Sequence, residues 1–149
     1  MYVEVKNYAE RFNIMKMKTN LNAGLLTWRL TLGILMILHG VHKLIYGLDF
    51  IEGLLTELGL PAFFALGVYV GEIVAPLLLI IGFRTKIAAL ILAFTMATAV
   101  WMVHLEDIFL LAASGAWAIE AAALFMFGAI GLVFTGGGKY ALSTRSKWD

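Results

Sequence analysis

The chain has 149 residues and a formal net charge of +1, and 62% of its residues are hydrophobic while only 14% are charged. Soluble domains are about 45–50% apolar, so this composition predicts an integral membrane protein of one domain and gives no indication of nucleic-acid binding. The sequence contains no cysteine, which excludes disulfides, thiol redox chemistry and cysteine-ligated iron–sulfur or zinc sites.

Residues 1–20 precede the first apolar segment and are predicted to form an N-terminal cytoplasmic extension. Val5, Tyr8, Ala9 and Phe12 follow the i, i+3, i+4, i+7 spacing of an amphipathic helix lying on a membrane surface. An unstructured tail explains the same residues equally well.

Four apolar segments follow, each close to the ~20 residues that a helix needs to cross the hydrocarbon core. None alternates strictly between apolar and polar residues, as a strand of a membrane barrel does. The pattern predicts an all-α membrane protein, a four-transmembrane-helix bundle over residues 21–143 with a cytoplasmic tail at 144–149. The segments run from about Gly24 to Tyr46, Pro61 to Gly82, Ile87 to Val103 and Ala116 to Thr135.

The charges flanking these segments predict the orientation. Two connections, after the first and third segments, contain acidic residues and no lysine or arginine, whereas all other flanks are basic. By the positive-inside rule, both termini are expected in the cytoplasm and the chain is expected in the cell inner (plasma) membrane. The basic residues are Lys6, Arg11, Lys16, Lys18, Arg84, Lys86, Lys139, Arg145 and Lys147, and the acidic ones are Asp49, Glu52, Glu57, Glu106 and Asp107.

Two charged residues lie well inside the segments, Arg29 near the cytoplasmic edge of the first and Glu72 near the middle of the second. A charge at mid-helix costs about 2.5–3.5 kcal/mol, so both are expected to face the bundle interior. Pro76 has no N–H and is expected to leave the Glu72 carbonyl without its helical partner, producing a kink and a polar notch. An Arg29–Glu72 ion pair that locks two helices together, a ligand site at the notch, or both together explain these charges. Arg29 alternatively reaches the inner headgroups with its long side chain.

Further polar residues gather at the outer ends of three segments. His39 and Lys43 share one helix face at i, i+4 spacing, His104 ends the third segment, and Glu120 enters the fourth. Together with Glu72 they are the predicted ligand-binding residues. For Lys43, anchoring at the outer interface is the simpler alternative.

This cluster of polar side chains could form a quinone site, a haem site or a metal site. Histidine, lysine and glutamate can bind the ring oxygens of a quinone or phenolic molecule and move its protons, which makes a quinone the expected cofactor. Haem held by His39 and His104 is less favoured. A metal held by His39, His104 and Glu120 lacks a compact ligand spacing, so no metal site is predicted, and no catalytic residue is assigned.

The order of several short motifs resembles the DoxX family of small four-span membrane proteins, over about residues 24–143. The first segment contributes Arg29 and Gly33 before HGVHKL, and LGLP, GEIVAPLLLIIGFRTK, the histidine that ends the third segment and the closing GGGKYALS follow. The closing motif departs from the family at Gly137, where a proline is common, and at Lys139, where an arginine is. The last triplet, Ala141 to Ser143, also lacks the usual aspartate.

The resemblance implies a compact helix bundle with Arg29, Lys43, Glu72 and His104 in its interior. It also implies an association with quinone-linked oxidation, including membrane subunits of thiosulfate:quinone oxidoreductase. The expected function is therefore a membrane subunit of a quinone-linked oxidoreductase system that contacts the lipid bilayer, a soluble or membrane oxidoreductase subunit and further copies of itself. A small-solute carrier or channel lined by Arg29, Glu72 and His39, and a non-catalytic assembly subunit, are the alternatives.

Overall fold

The computed structural model describes residues 20–149. The amphipathic helix expected before residue 20 therefore lies outside the described part. The described residues form helices joined by connections that contain a single isolated β-bridge and no β-strand. We number the helices α1 Leu21–Tyr46, α2 Asp49–Glu57, α3 Ala62–Ile81, α4 Thr85–Val103 and α5 Glu120–Thr135.

Helix α1 has clear signals at both ends. The Asn20 side chain accepts a hydrogen bond from the Ala23 amide at 3.1 Å, which satisfies one of the free donors of the first turn. The helix stops at Gly47, whose φ of 89° suits glycine because it carries no Cβ. The acidic helix α2 follows at once and was not predicted from the sequence.

Helix α3 is irregular. It begins as a 3-10 helix at Ala62–Leu66, passes through a π-helical turn at Val70–Val74 and becomes regular at Ala75–Ile81. In the π-helical turn the Ala75 amide donates to the Val70 carbonyl, five residues back. Pro76 lies at the start of the regular part, where its missing N–H costs least. The irregularity expected beside Glu72 therefore takes the form of a π-helical turn.

Helices α1 and α3 run antiparallel with their backbones close together. A Cβ added at Gly40 would lie 2.6 Å from the Glu72 carbonyl oxygen, and one added at Gly33 would lie 2.9 Å from that of Pro76. Small residues allow such approach in membrane helices, where close van der Waals packing drives association. The main core lies between α1, α3, α4 and α5 and includes Leu32, Met36, Leu79, Leu92 and Leu132.

Three helices, α1, α3 and α4, are long and apolar enough to cross a membrane, whereas α5 is apolar but has only 16 residues. The described chain is thus a multi-pass, all-helical membrane protein. The fourth apolar segment was expected to be helical from Ala116, and this was wrong, because α5 begins at Glu120 and residues 110–118 form a small hairpin. The hairpin amides bond across the turn and so do not enter a helical ladder.

The basic and acidic connections lie at opposite ends of the bundle. At the basic end, the Lys86 amide donates to the Trp148 carbonyl and the Lys139 amide donates to the Asn22 side chain. At the acidic end, Leu55 of α2 packs in one cluster with Ala65 of α3 and Met102 of α4. The charge segregation seen along the sequence therefore separates two ends of the folded molecule.

Candidate functional site

Lys43 and Glu72 form an ion pair between α1 and α3, in which Lys43 Nζ donates to Glu72 Oε1. The Lys43 side chain is 27% exposed and the Glu72 side chain 5%. The second carboxylate oxygen, Oε2, is buried and has no hydrogen-bond partner within residues 20–149. Because a buried charge is costly unless it is paired, Lys43 is the group that makes Glu72 tolerable at this depth.

The backbone around Glu72 packs closely against α1 and α4. Glu72 is at the centre of the π-helical turn, a feature that often marks functional sites. A side chain on the preceding Gly71 would overlap Thr95 of α4, so the glycine permits close contact there. The Tyr69 hydroxyl donates to the Lys43 carbonyl at 3.3 Å and ties the start of α3 to the end of α1.

Arg29 does not pair with Glu72, so the ion pair considered from the sequence is wrong. Its side chain is fully buried, and Nη1 and Nη2 donate to the backbone carbonyls of Leu79 and Tyr140 at 3.3 and 3.2 Å. Because α1 and α3 run antiparallel, Arg29 lies beside the C-terminal end of α3. Lys43 lies nearly four helical turns further along α1, about 21 Å away.

Side-chain direction explains which cation reaches Glu72. Side chains of a helix lean toward its N-terminus. Lys43 therefore leans back along α1 toward the middle of the bundle, and Glu72 leans back along the antiparallel α3 toward Lys43. Arg29, on the same helix as Lys43, also leans toward the basic end, and this takes its side chain away from Glu72. Side-chain direction could have been used with the sequence alone to pair Lys43 with Glu72. The prediction missed this pair because it compared only how deep each residue lies along its segment.

The remaining predicted ligand residues do not join the pair by any hydrogen bond or ion pair found in the described chain. His39 is exposed, and its ring meets Phe125 of α5 edge-on at 5.9 Å between centroids. His104 Nδ1 lies 2.9 Å from Asp107 Oδ2, and both side chains are partly exposed. Glu120 is exposed at the start of α5. Of the five residues, the structure brings only Lys43 and Glu72 into direct contact.

The geometry also bears on two other kinds of site, a polar path through the bundle and a metal site. A polar path through Arg29, Glu72 and His39 is interrupted, because Arg29 is sealed by backbone carbonyls and His39 faces outward. Over the described residues, no three histidine, aspartate or glutamate side chains are grouped so that they could hold a metal ion.

A surface groove of about 460 Å³ runs along α5 and is almost entirely apolar. Trp28 forms part of its wall and donates from Nε1 to the Gly128 carbonyl at 3.1 Å. The only ionisable residue in its lining is Glu120. The groove therefore matches an apolar chain better than a charged solute.

Comparison with known proteins was made at the level of families, curated proteins and solved structures. No curated protein and no solved structure gave a match. The DoxX family model matches residues 24–105, a range that contains Arg29, Lys43, Glu72 and His104 but ends before α5 and the closing GGGKYALS. The matched range is shorter than the 24–143 expected from the motifs. Since it still covers more than half of the 149 residues, the chain belongs to the DoxX family of membrane proteins.

Proposed function

We propose that this chain is an integral membrane subunit of a quinone-linked oxidoreductase system and that it binds a quinone or phenolic molecule beside Lys43 and Glu72. The observation that carries the proposal is a buried carboxylate with one oxygen paired to a cation and the other, Oε2, without a partner in the described chain. Such a group can accept a proton or a hydrogen bond from a ligand hydroxyl.

The two side chains offer complementary chemistry to such a ligand. The Lys43 ammonium has three N–H donors and gives one to Glu72, so others are available for a ring oxygen. Lys43 is the more exposed member, so an incoming ligand meets it first, and the Glu72 carboxylate becomes accessible as the lysine turns toward that ligand. A bound quinone supplies reversible two-electron, two-proton chemistry, and the electrons come from a partner oxidoreductase subunit.

The same proposal includes the placement of the chain in the membrane. The bundle crosses the cell inner (plasma) membrane four times, with α5 as the fourth crossing and both termini in the cytoplasm. The basic end of the bundle supports this orientation through the positive-inside rule. The pair then lies in the outer half of the membrane, within the apolar layer that quinones enter.

Quinone retention tests the proposal. Protein purified in mild detergent is extracted with organic solvent, and the extract is analysed by mass spectrometry for a quinone in near-stoichiometric amount. We expect Glu72→Gln to reduce the retained quinone by at least about tenfold, since a neutral amide loses the proton acceptor. The control is Glu52→Gln, on the exposed face of α2. Equal retention by wild type and Glu72→Gln, or ordinary lipids alone in both, would sink the proposal.

A non-catalytic assembly subunit is the second candidate, favoured by the fact that Lys43 and Glu72 neutralise each other's charge across α1 and α3. The double variant Lys43→Glu with Glu72→Lys exchanges the charges and keeps an ion pair. If the pair only joins helices, the double variant retains the activity of the whole complex. If the pair binds a quinone, activity is lost although the chain still folds and assembles.

A further inference from the structure

The connection between α4 and α5 exposes a run of apolar side chains. No charged residue occurs between Asp107 and Glu120. Phe109 is 94% exposed and Leu111 71%, and Leu110 between them is also exposed. Adjoining large apolar side chains with this exposure mark a surface that contacts lipid or another protein.

Part of the backbone of this connection is hydrogen-bonded across a tight turn. Leu111 and Trp117 form an antiparallel bridge, the Ala112 amide donates to the Ala116 carbonyl at 2.8 Å, and the Ala118 amide donates to the Leu110 carbonyl at 3.1 Å. The indole of Trp117 donates to the Ile108 carbonyl at 2.7 Å. We call this hairpin, together with Ile108 and Phe109 at the end of the preceding 3-10 helix, the apolar hairpin (residues 108–118). Such pairing lowers the cost of moving a non-helical segment into the membrane interface, where water and headgroups bond the remaining amides.

The lengths of α4 and α5 give the height of the apolar hairpin above the basic end. A Cβ added at Gly136, just after α5, would lie 3.3 Å from Lys86 Cε at the start of α4, so the two helices share one level there. From that level α4 rises about 28 Å and α5 about 24 Å. The hydrocarbon core is about 30 Å thick, so the connection between their other ends lies close to its far boundary.

We propose that the apolar hairpin is a lipid-binding anchor that lies in the interface of the leaflet at the acidic end. Phe109, Leu110 and Leu111 insert among the upper acyl chains, and Trp117 lies at headgroup level, the usual position of tryptophan in membrane proteins. The anchor supplies apolar contact that the short helix α5 lacks. Glu120, exposed next to the apolar hairpin, limits its depth because the carboxylate has to remain among the headgroups.

Fluorescence quenching tests this placement directly, since the chain has no cysteine of its own. A single cysteine is introduced as Phe109→Cys and labelled with a small fluorophore. The full chain is then placed in phosphatidylcholine–phosphatidylglycerol vesicles. Quenching by a lipid with a nitroxide near its headgroup is compared with quenching by iodide present on both sides of the membrane. We expect the lipid nitroxide to lower emission at least about twofold and iodide to have little effect.

The matched control is Glu106→Cys, three residues earlier, where we expect the reverse pattern. Leu111→Cys provides a second position in the apolar hairpin, and because Phe109 and Leu111 are exposed, neither change disturbs the core. Strong quenching by iodide at both hairpin positions would overturn the proposal by placing the apolar hairpin in water. Protection from both quenchers would overturn it as well, because protein, such as a second copy of the chain, would then cover this surface.

Discussion

The two ends of α1 each hold a cation against α3, and they satisfy it in different ways. At the basic end, Arg29 is fully buried and donates to the carbonyl oxygens of Leu79 and Tyr140. At the acidic end, Lys43 is partly exposed and donates to the carboxylate of Glu72. Carbonyl oxygens accept one hydrogen bond each from Nη1 and Nη2 of Arg29, while its buried Nε has no partner in the described chain. They do not neutralise its charge, whereas Glu72 neutralises Lys43.

This difference separates a structural residue from a candidate functional pair. Arg29 joins the end of α3 to the C-terminal segment, and Gly82 leaves room for its guanidinium because a Cβ there would overlap Nη1. A guanidinium keeps its proton at any ordinary pH, so it offers no proton chemistry. The pair of Lys43 and Glu72 consists of two groups that can both exchange protons. The contrast supports a packing role for the basic end and is the basis on which we propose ligand chemistry at the acidic end.

The largest expected effect comes from removing the cation at the basic end. Arg29→Met keeps an apolar side chain of similar length but removes the hydrogen bonds to the carbonyls of Leu79, which keeps the Gly82 amide as a donor, and Tyr140. We expect the free energy of unfolding in detergent to fall by about 3 kcal/mol, since two hydrogen bonds from a charged group are lost and each contributes about 1.5–3 kcal/mol. Limited proteolysis is also expected to cut the segment after Tyr140 faster.

Arg84→Met is the matched control for this change. Arg84 is 40% exposed and its Nη1 lies 3.7 Å from the Asp149 carboxylate, so losing it should cost only about 0–1 kcal/mol. Equal losses in the two variants would contradict the structural role given to Arg29.

A smaller effect is expected at the acidic end, where a double-mutant cycle tests the pairing. Lys43→Met and Glu72→Gln should each lower the free energy of unfolding by about 1–2 kcal/mol, because the partial exposure of Lys43 reduces the value of the pair. The double variant should lose less than the sum of the two, and unfolding in sodium dodecyl sulfate measures all three. Arg29→Met combined with Glu72→Gln should be additive within about 0.5 kcal/mol. Coupling in that second combination would restore the Arg29–Glu72 pair.

Much of the bundle could be predicted from the sequence because hydropathy and charge are local properties. The bounds of α1, α3 and α4 fall within a few residues of the apolar segments, and the basic and acidic connections separate as their charges indicate. The interior position of Arg29 and Glu72 also follows from the cost of exposing a charge to lipid.

The partner of each charge could not be obtained in the same way, because it depends on the register of two helices and on side-chain direction. Glu72 meets Lys43 because Gly40 and Gly33 fix the antiparallel register. Helix α2 and the apolar hairpin were missed because both lie in segments that were read only as connections. In the hairpin, the cross-turn bonds of Ala112 and Ala118 stop the helix that hydropathy alone would extend to Ala116.

The smallest effect is expected at the basic end, where acid should loosen the C-terminal segment. Burial by itself would raise the pKa of Asp149, but the hydrogen bond from the Ser146 amide and the charge of Arg84 help to hold that pKa below its usual value of 3.8. A depressed pKa means that the folded form favours the charged carboxylate. The stabilisation is therefore complete above about pH 3.8 and is lost as the pH falls through the lower folded-state pKa. The protection factor of the Ser146 amide against hydrogen exchange should fall over that range, and in Asp149→Asn it should be low throughout, with no added loss in acid. If wild type and variant lost protection together, the cause would be another carboxylate, and the contact of Asp149 with the α3–α4 connection would not hold the segment in place.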